Sequence, residues 1–244
     1  MEISMAKALN KIESKTALQN VRFERKFIFQ NIALEDLIAT SVFTNSFCFK
    51  EIFTERSVNN MYLDDTNFSM YHLNVSGNGL REKYRLRWYG ENFSEINDPT
   101  LEIKRKFGDA GDKISFKLNG FKTDVKGSSA DAFLKNVLGE VKSTQNKQLL
   151  SKLHLLAPAL YNSYDRRYFL SHCERYRITL DYNMKFFNPN LTNYGITERT
   201  IDDIVLELKY DTKHDNESRL LSQEIDSRLS KNSKYVRGLE IINS

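Results

Sequence analysis

Basic residues at every second position mark one short segment of this chain. In REKYRLRWY, residues 81–89, arginine or lysine occupies positions 81, 83, 85 and 87, with tyrosine, leucine and tryptophan between them. Side chains of a β-strand alternate between its two faces, so one face carries four cations and the other is apolar. Rows of arginine and lysine suit phosphate oxygens, arginine through its forked donors. The segment therefore indicates either a phosphate-binding wall or an ordinary solvated strand face.

The same alternation of ionic and apolar residues recurs in four other segments. They are VRFERKFIF (21–29), LEIKRKF (101–107), CERYRITLDY (173–182) and VLELKY (205–210). One explanation is a sheet with one wet face. The other is a closed sheet with the cations inside and the apolar faces outside, covered by helices. Because unpaired buried charges are costly, a closed sheet of this kind implies a bound polyanion.

A single glutamate recurs beside these cations, as Glu24, Glu102 and Glu207. Mg²⁺ characteristically binds one or two carboxylates together with phosphate oxygens, so these residues are candidate metal ligands in the closed arrangement. Glu24 and Glu102 could equally anchor neighbouring lysines and arginines. The four histidines and the two cysteines have no motif partner and fit no metal spacing, which leaves no histidine-based catalytic constellation.

Composition is that of a globular protein. The 244 residues are 40% hydrophobic and 28% charged, with a net charge of +4. No segment approaches the ~20 apolar residues that span a bilayer, and the N-terminus lacks a secretory signal core, so we expect a cytoplasmic protein. Three prolines, ten glycines and no internal repeat favour a single domain over residues 21–244, after an N-terminal helical extension over residues 1–20.

The periodicities predict an antiparallel α+β fold rather than βαβ units. Helices are expected over 31–43, 128–156 and 216–229, with a short helical or irregular piece over 66–77. The eight predicted strands cover residues 21–29, 56–65, 80–89, 100–107, 112–118, 159–170, 173–184 and 203–210.

The chain resembles the triphosphate tunnel metalloenzymes, and within them the polyphosphate polymerase (VTC) domain of the vacuolar transporter chaperone complex. The resemblance implies a closed eight-stranded antiparallel β-barrel, or tunnel, with a basic interior and helices packed outside. The segments that carry it follow the family order: FERKF (23–27), YLDDTN (62–67), YRLRWYG (84–90), LEIKRK (101–106), YDRRYF (164–169), RYRITLD (175–181), VLELK (205–209) and SKY (233–235).

This resemblance implies roles for individual residues. The catalytic residues that line the tunnel and hold phosphate groups would be Lys26, Arg85, Arg87, Lys104, Arg166, Arg177 and Lys209. Glu207 would bind Mn²⁺ or Mg²⁺. Further substrate contacts would come from Lys113, Lys231, Ser233 and Lys234.

The activity implied is transfer of the ATP γ-phosphoryl group to a growing polyphosphate chain. Arg22 stands where the triphosphatase and cyclase branch begins a Glu-x-Glu-x-Lys motif, which favours the polymerase branch. Tyr161 stands where the eukaryotic polymerase has a basic residue, which weakens the expected substrate binding there. We expect a stand-alone domain without the SPX domain or a membrane segment.

Three other functions stay open at this point. One is a triphosphatase of the same fold, acting on inorganic triphosphate or a nucleoside triphosphate. Another is a non-catalytic module that binds polyphosphate. Nucleic-acid binding ranks last, because the aromatic residues alternate onto the face opposite the cations, where they could not stack on bases.

Overall fold

The computed structural model describes residues 22–91, 95–108, 110–124, 129–143, 147–189 and 198–244. The expected N-terminal extension over residues 1–20 lies outside this part of the chain. The strands are β1 Arg22–Phe29, β2 Lys50–Asp64, β3 Leu80–Tyr89, β4 Glu95–Asn97, β5 Thr100–Phe107, β6 Ala110–Lys117, β7 Lys122–Asp124, β8 Ala157–Leu170, β9 Tyr176–Phe187, β10 Arg199–Ile201 and β11 Ile204–Asp211. The helices are α1 Leu34–Leu37, which continues as a π-helix over Ile38–Phe43, α2 Ser69–Val75, α3 Ala130–Ser143, α4 Lys147–Leu153, α5 Asp215–Gln223 and α6 Lys234–Ile242.

Eight long strands pair in an antiparallel ring. The order around the ring is β9, β11, β1, β6, β5, β3, β2, β8 and back to β9. Strands β1 and β6 share the single pair Arg22 and Gly111 among the described residues, whereas β2 and β8 pair along most of their length. Each ring strand overlaps one of the eight predicted strands, so the antiparallel α+β prediction is confirmed.

Apolar side chains on the outer face of the ring form two buried clusters under helices. One cluster includes Leu86, Trp88 and Leu101 and is covered by α3 and α4. The other includes Ile178 and Leu208 and is covered by α1 and α5. Helices therefore protect the apolar face of each strand, and the opposite, ionic face points into the ring.

Helix α6 lies at one end of the ring and packs against its inner side. Tyr235 and Leu239 contact Tyr62, Leu160 and Phe186 in a third buried cluster. These partners stand at the end of β2, the start of β8 and the end of β9. The helix begins at Ser233, whose Oγ accepts a hydrogen bond from the Val236 amide.

Two helical expectations differ from the structure. The helix predicted over 216–229 ends at Gln223, because the chain beyond it makes backbone contacts with β1: Leu229 bridges Phe27, and the Ser230 amide donates to the Lys26 carbonyl. The C-terminal tail, for which no element was predicted, forms α6. Among the described residues, no helix is long and apolar enough to cross a membrane.

Candidate functional site

A cavity of about 470 Å³ lies inside the ring, between its walls and the start of α6. Twelve lysine and arginine side chains line it, against three acidic ones. Eleven of the twelve predicted site residues are in the lining: Lys26, Arg85, Arg87, Lys104, Lys113, Arg166, Arg177, Glu207, Lys209, Ser233 and Lys234. Lys231 is exposed and lies outside the lining, in the segment that runs along β1.

One wall of the cavity is the β1–β11 pair, where glutamates and lysines alternate across the strands. Lys26 is opposite Glu207, and Glu24 is opposite Lys209. Lys26 Nζ lies 3.2 Å from Glu24 Oε1 and 3.3 Å from Glu207 Oε1, and Lys209 Nζ lies 2.6 Å from Glu207 Oε2. Burial alone would raise the pKa of Glu207, but Lys209 and Lys26 hold it well below its usual range.

Glu24 is the second carboxylate on this wall. Burial and the neighbouring Glu207 oppose its ionisation, yet Lys26 and Lys104 lower its pKa, so both carboxylates are charged at neutral pH. Its Oε1 atom is buried and lies 3.2 Å from Lys26 Nζ, and its Oε2 atom accepts a hydrogen bond from Lys104 Nζ at 2.6 Å. Two adjacent ionised carboxylates are the kind of protein ligand that Mg²⁺ binds together with phosphate oxygens. The described residues contain no cluster of three metal-binding side chains, so the remaining ligands of such a cation would be water or phosphate oxygens.

The β3–β5–β6 wall places its cations around Glu102. Arg85 donates from Nε to Glu102 Oε2 at 2.8 Å, and Lys113 donates from Nζ to Glu102 Oε1 at 2.6 Å. Arg87 donates to Asn60 Oδ1 at 2.9 Å. Burial would raise the pKa of Glu102, but Arg85 and Arg87 bring it far below its usual range. Glu102 therefore anchors cations, which is one of the two roles that the sequence allowed.

Asp181 on β9 is not in the cavity lining but holds two of its cations in place, and the sequence predicted no role for it. It is fully buried, and its Oδ2 accepts a hydrogen bond from Arg166 Nη2 at 2.6 Å and another from Lys234. Burial raises the pKa of Asp181, but Arg166 and Lys234 lower it to about 2. The signal in the sequence was its place on the same strand face as Arg177. Asp181 joins the wall of the ring to the start of α6.

Lys83 also lines the cavity, although its position near the start of β3 allowed a merely exposed side chain. It donates from Nζ to Ser233 Oγ at 2.7 Å. Burial lowers its pKa well below the usual range, and the nearby cations Lys26 and Lys104 lower it further. The pKa of Lys104 is lowered as well, chiefly by burial. The cavity thus holds more positive charge than its own carboxylates offset.

Tyrosines complete the lining at positions that the sequence analysis passed over: Tyr62, Tyr164, Tyr168 and Tyr235. Burial raises the pKa of Tyr168 to about 12, so its hydroxyl is neutral and can donate to an anion. Tyr161, in contrast, lies outside the cavity. Its ring stacks on Trp88 with a centroid distance of 5.6 Å, and its hydroxyl donates to Asn59 at 2.9 Å. The tyrosine at this position therefore does not take the place of a basic side chain in the cavity lining.

Comparison with known proteins gave one family and several solved structures. Residues 20–243 match the family model of the VTC domain. No match was found among curated proteins.

Three solved structures are similar to this chain at low sequence identity. A proposed adenylyl cyclase from Hippeastrum, described as having a dominant triphosphatase activity, is 11% identical with a TM-score of 0.51, over 90% of this chain and 95% of that one. A proposed adenylate cyclase from Vibrio parahaemolyticus is 12% identical with a TM-score of 0.48, over 91% and 98%. The triphosphatase of the Mimivirus capping enzyme is 11% identical with a TM-score of 0.38, over 93% and 98%.

The family match carries the assignment, because it extends over nearly the whole chain and includes every strand of the ring. The resemblance read from the sequence is confirmed at this level. The protein belongs to the VTC domain family.

Proposed function

We propose that this protein is a metal-dependent polyphosphate polymerase, built as a closed tunnel, that transfers the γ-phosphoryl group of ATP to an inorganic polyphosphate chain. The observation that carries the proposal is the convergence of twelve basic side chains on one cavity with three acidic ones. So much buried positive charge is costly unless a polyanion offsets it. Membership of the VTC family supports phosphate chains as that polyanion.

The reaction needs a nucleophile, an electrophile and a leaving group held in line. A terminal phosphate oxygen of the chain attacks the γ-phosphorus and forms the new P–O bond. The bond from that phosphorus to the β–γ bridging oxygen breaks, and ADP leaves with the electron pair. Positioning and charge neutralisation supply most of the catalysis in such transfers. Here Arg85 and Arg87 on β3, Arg166 on β8 and Lys234 on α6 all line the cavity, so cations from three elements would contact the phosphates.

Glu207, together with Glu24, would hold Mn²⁺ or Mg²⁺ against the phosphate oxygens. A dication there supplies charge neutralisation to the transferring group. Lys26 lies between the two carboxylates, and Lys209 contacts Glu207, so both glutamates are held ionised and in place. The two lysines would also contact phosphate oxygens from the same wall.

The acceptor distinguishes this proposal from a triphosphatase. Water attack benefits from a general base with a pKa near neutrality. None of the four histidines lines the cavity, and the pKa values of Glu24 and Glu207 are lowered, so both are weak bases. The end of a phosphate chain is already anionic and needs no such base. A triphosphatase is the second candidate, because the Hippeastrum structure with the same fold is described as having that activity.

The test is a product assay. The purified protein is incubated with ATP and Mn²⁺, with and without a short polyphosphate primer, and ADP, free phosphate and polymer are measured. We expect polymer in amounts that match ADP. Glu207→Gln should lower the rate by about a hundredfold or more, since it removes a charge that acts on the transition state.

Glu217→Gln is the matched control, because Glu217 pairs with Arg175 on the outside of the ring and should leave the rate unchanged. Free phosphate without polymer would assign the protein to the triphosphatases. Tight binding of polyphosphate with neither product would show a non-catalytic binding module.

A further inference from the structure

Four side chains form a cluster at the end of the ring opposite α6. Phe53 lies near the start of β2, and Tyr89 and Tyr168 lie near the ends of β3 and β8. Arg56 on β2 lies among them. Helix α6 contacts the other ends of β2 and β8, so it leaves this end uncovered. We call the four residues Phe53, Arg56, Tyr89 and Tyr168 the aromatic rim.

The arginine of the aromatic rim lies against all three rings. Arg56 Cζ is 4.8 Å from the ring centroid of Phe53, 5.7 Å from that of Tyr168 and 5.8 Å from that of Tyr89. Phe53 and Tyr168 meet edge to face, with centroids 5.7 Å apart. Within the described part of the chain, the side chain of Arg56 has no hydrogen bond and no ion pair with a carboxylate. Its guanidinium group is therefore held by the rings alone and keeps its donors free.

Large aromatic surfaces are exposed here. The exposed fraction is 46% for Phe53 and 52% for Tyr89. The fold itself does not need these surfaces, since the core clusters do not include them. Exposed aromatic rings beside an unpaired arginine are typical of sites that bind planar, electron-rich groups.

The aromatic rim is continuous with the cavity. Tyr168 belongs to both, and Arg166 Cζ lies 5.9 Å from its ring centroid. Arg166 precedes Tyr168 by two positions on the same face of β8, a distance of about 7 Å along a strand. Phosphate groups held by Arg166 would therefore place whatever is attached to them at the rim.

We propose that the aromatic rim binds the nucleobase of a nucleoside triphosphate whose phosphates lie in the cavity, and this rests on the proposed function. A nucleobase gains stacking contacts with aromatic rings and with the plane of an arginine. An inorganic phosphate chain has no such surface and gains nothing from Phe53 or Tyr89. The cations of the cavity would bind the phosphates of the nucleotide donor and of the polymeric acceptor alike. The aromatic rim would bind only the donor, because only the donor has a base.

The test compares the binding of two ligands to the wild type and to two variants. Dissociation constants of ATP and of inorganic tripolyphosphate are measured by calorimetry for the wild type, Phe53→Ala and Tyr89→Ala. We expect each substitution to raise the dissociation constant of ATP about tenfold, in line with base stacking on one ring. The dissociation constant of tripolyphosphate should change less than twofold.

Phe107→Ala is the matched control. Phe107 is also an exposed aromatic residue at a strand end, with 41% of its surface exposed, and the Cζ atom of Arg105 lies 5.7 Å from its ring centroid. It lies outside the cavity lining and should affect neither ligand. If Phe53→Ala and Tyr89→Ala change the dissociation constants of ATP and tripolyphosphate equally, or change neither, the proposed nucleobase site is wrong. The proposed function would still stand in that case. If the wild type binds neither ligand, the proposed function fails and the nucleobase site fails with it.

Discussion

Lys83 shows how the cavity affects a single residue. Its amino group donates to Ser233 Oγ and has the cations Lys26 and Lys104 nearby. Burial and these neighbours lower its pKa in the free protein. A bound polyanion would reverse the second effect, because phosphate charges close to the amino group favour its protonated form.

We therefore expect ligand binding to take up protons at pH values between the lowered pKa of Lys83 in the free protein and its higher pKa in the complex. Across that window, affinity falls as pH rises, since the binding-competent protonated form becomes rarer. The uptake is measured by calorimetry of tripolyphosphate binding in buffers of different ionisation enthalpy. Lys83→Met should take up fewer protons than the wild type. Equal uptake in both proteins would contradict this assignment.

The contact of α6 with the ring depends on Gly238. A Cβ atom at this position would lie 2.5 Å from Leu160 Cδ2 and 2.5 Å from Phe186 Cδ1. Such distances are too short for real side chains, so the helix can approach the inner wall this closely only with glycine. Since α6 begins at Ser233 and Lys234, its packing also sets the position of two cavity residues.

Gly238→Ala should therefore destabilise the protein. Overpacking costs about 1–3 kcal/mol, and the higher helix propensity of alanine offsets about 0.5–1 kcal/mol of that cost. Gly139→Ala in α3 is the control, because a Cβ atom there meets nothing within 4 Å. It should stabilise the protein by about 0.5–1 kcal/mol. Urea denaturation measures both free energies of unfolding. Equal stabilisation by the two substitutions would show that α6 does not pack against the ring in solution.

On the scale of the whole molecule, the excess positive charge of the cavity opposes folding. The free protein has a net charge of +4, yet twelve basic side chains line the cavity. Salt should screen their repulsion, and a polyanion should offset it directly.

Tripolyphosphate at a hundred times its Kd should stabilise the protein by about 2.7 kcal/mol. For a domain of this size that is a rise in Tm of about 5–10 °C, and the rise should shrink as sodium chloride increases. At the same tripolyphosphate concentration, Lys209→Gln should show a smaller rise in Tm than the wild type, because Lys209 lines the cavity. Lys213→Gln should not, because Lys213 is exposed and pairs with Asp211 outside. Thermal unfolding with and without ligand decides between these outcomes.

The sequence by itself determined the strands and their faces. Strict alternation between apolar and ionic residues fixes which side chains of a strand point the same way, because the period of a strand is two. That is why Arg85, Arg87, Lys104 and Lys209 could be placed on one surface, and why the eight ring strands were found. The family segments, which rest on the same residues, pointed to the VTC domain.

The tertiary structure alone decided which residues became neighbours. Glu24, Glu102 and Glu207 look equivalent along the chain, yet ring pairing sets Glu102 among Arg85 and Lys113, and it sets Glu24 beside Glu207. Asp181 acquired its role only because α6 brings Lys234 to it. These contacts join residues that are 11 to 183 positions apart, and the period of a strand carries no information about its partner. Helix α6 escaped prediction for a related reason, since a nine-residue helix is stabilised chiefly by the surface that it packs against.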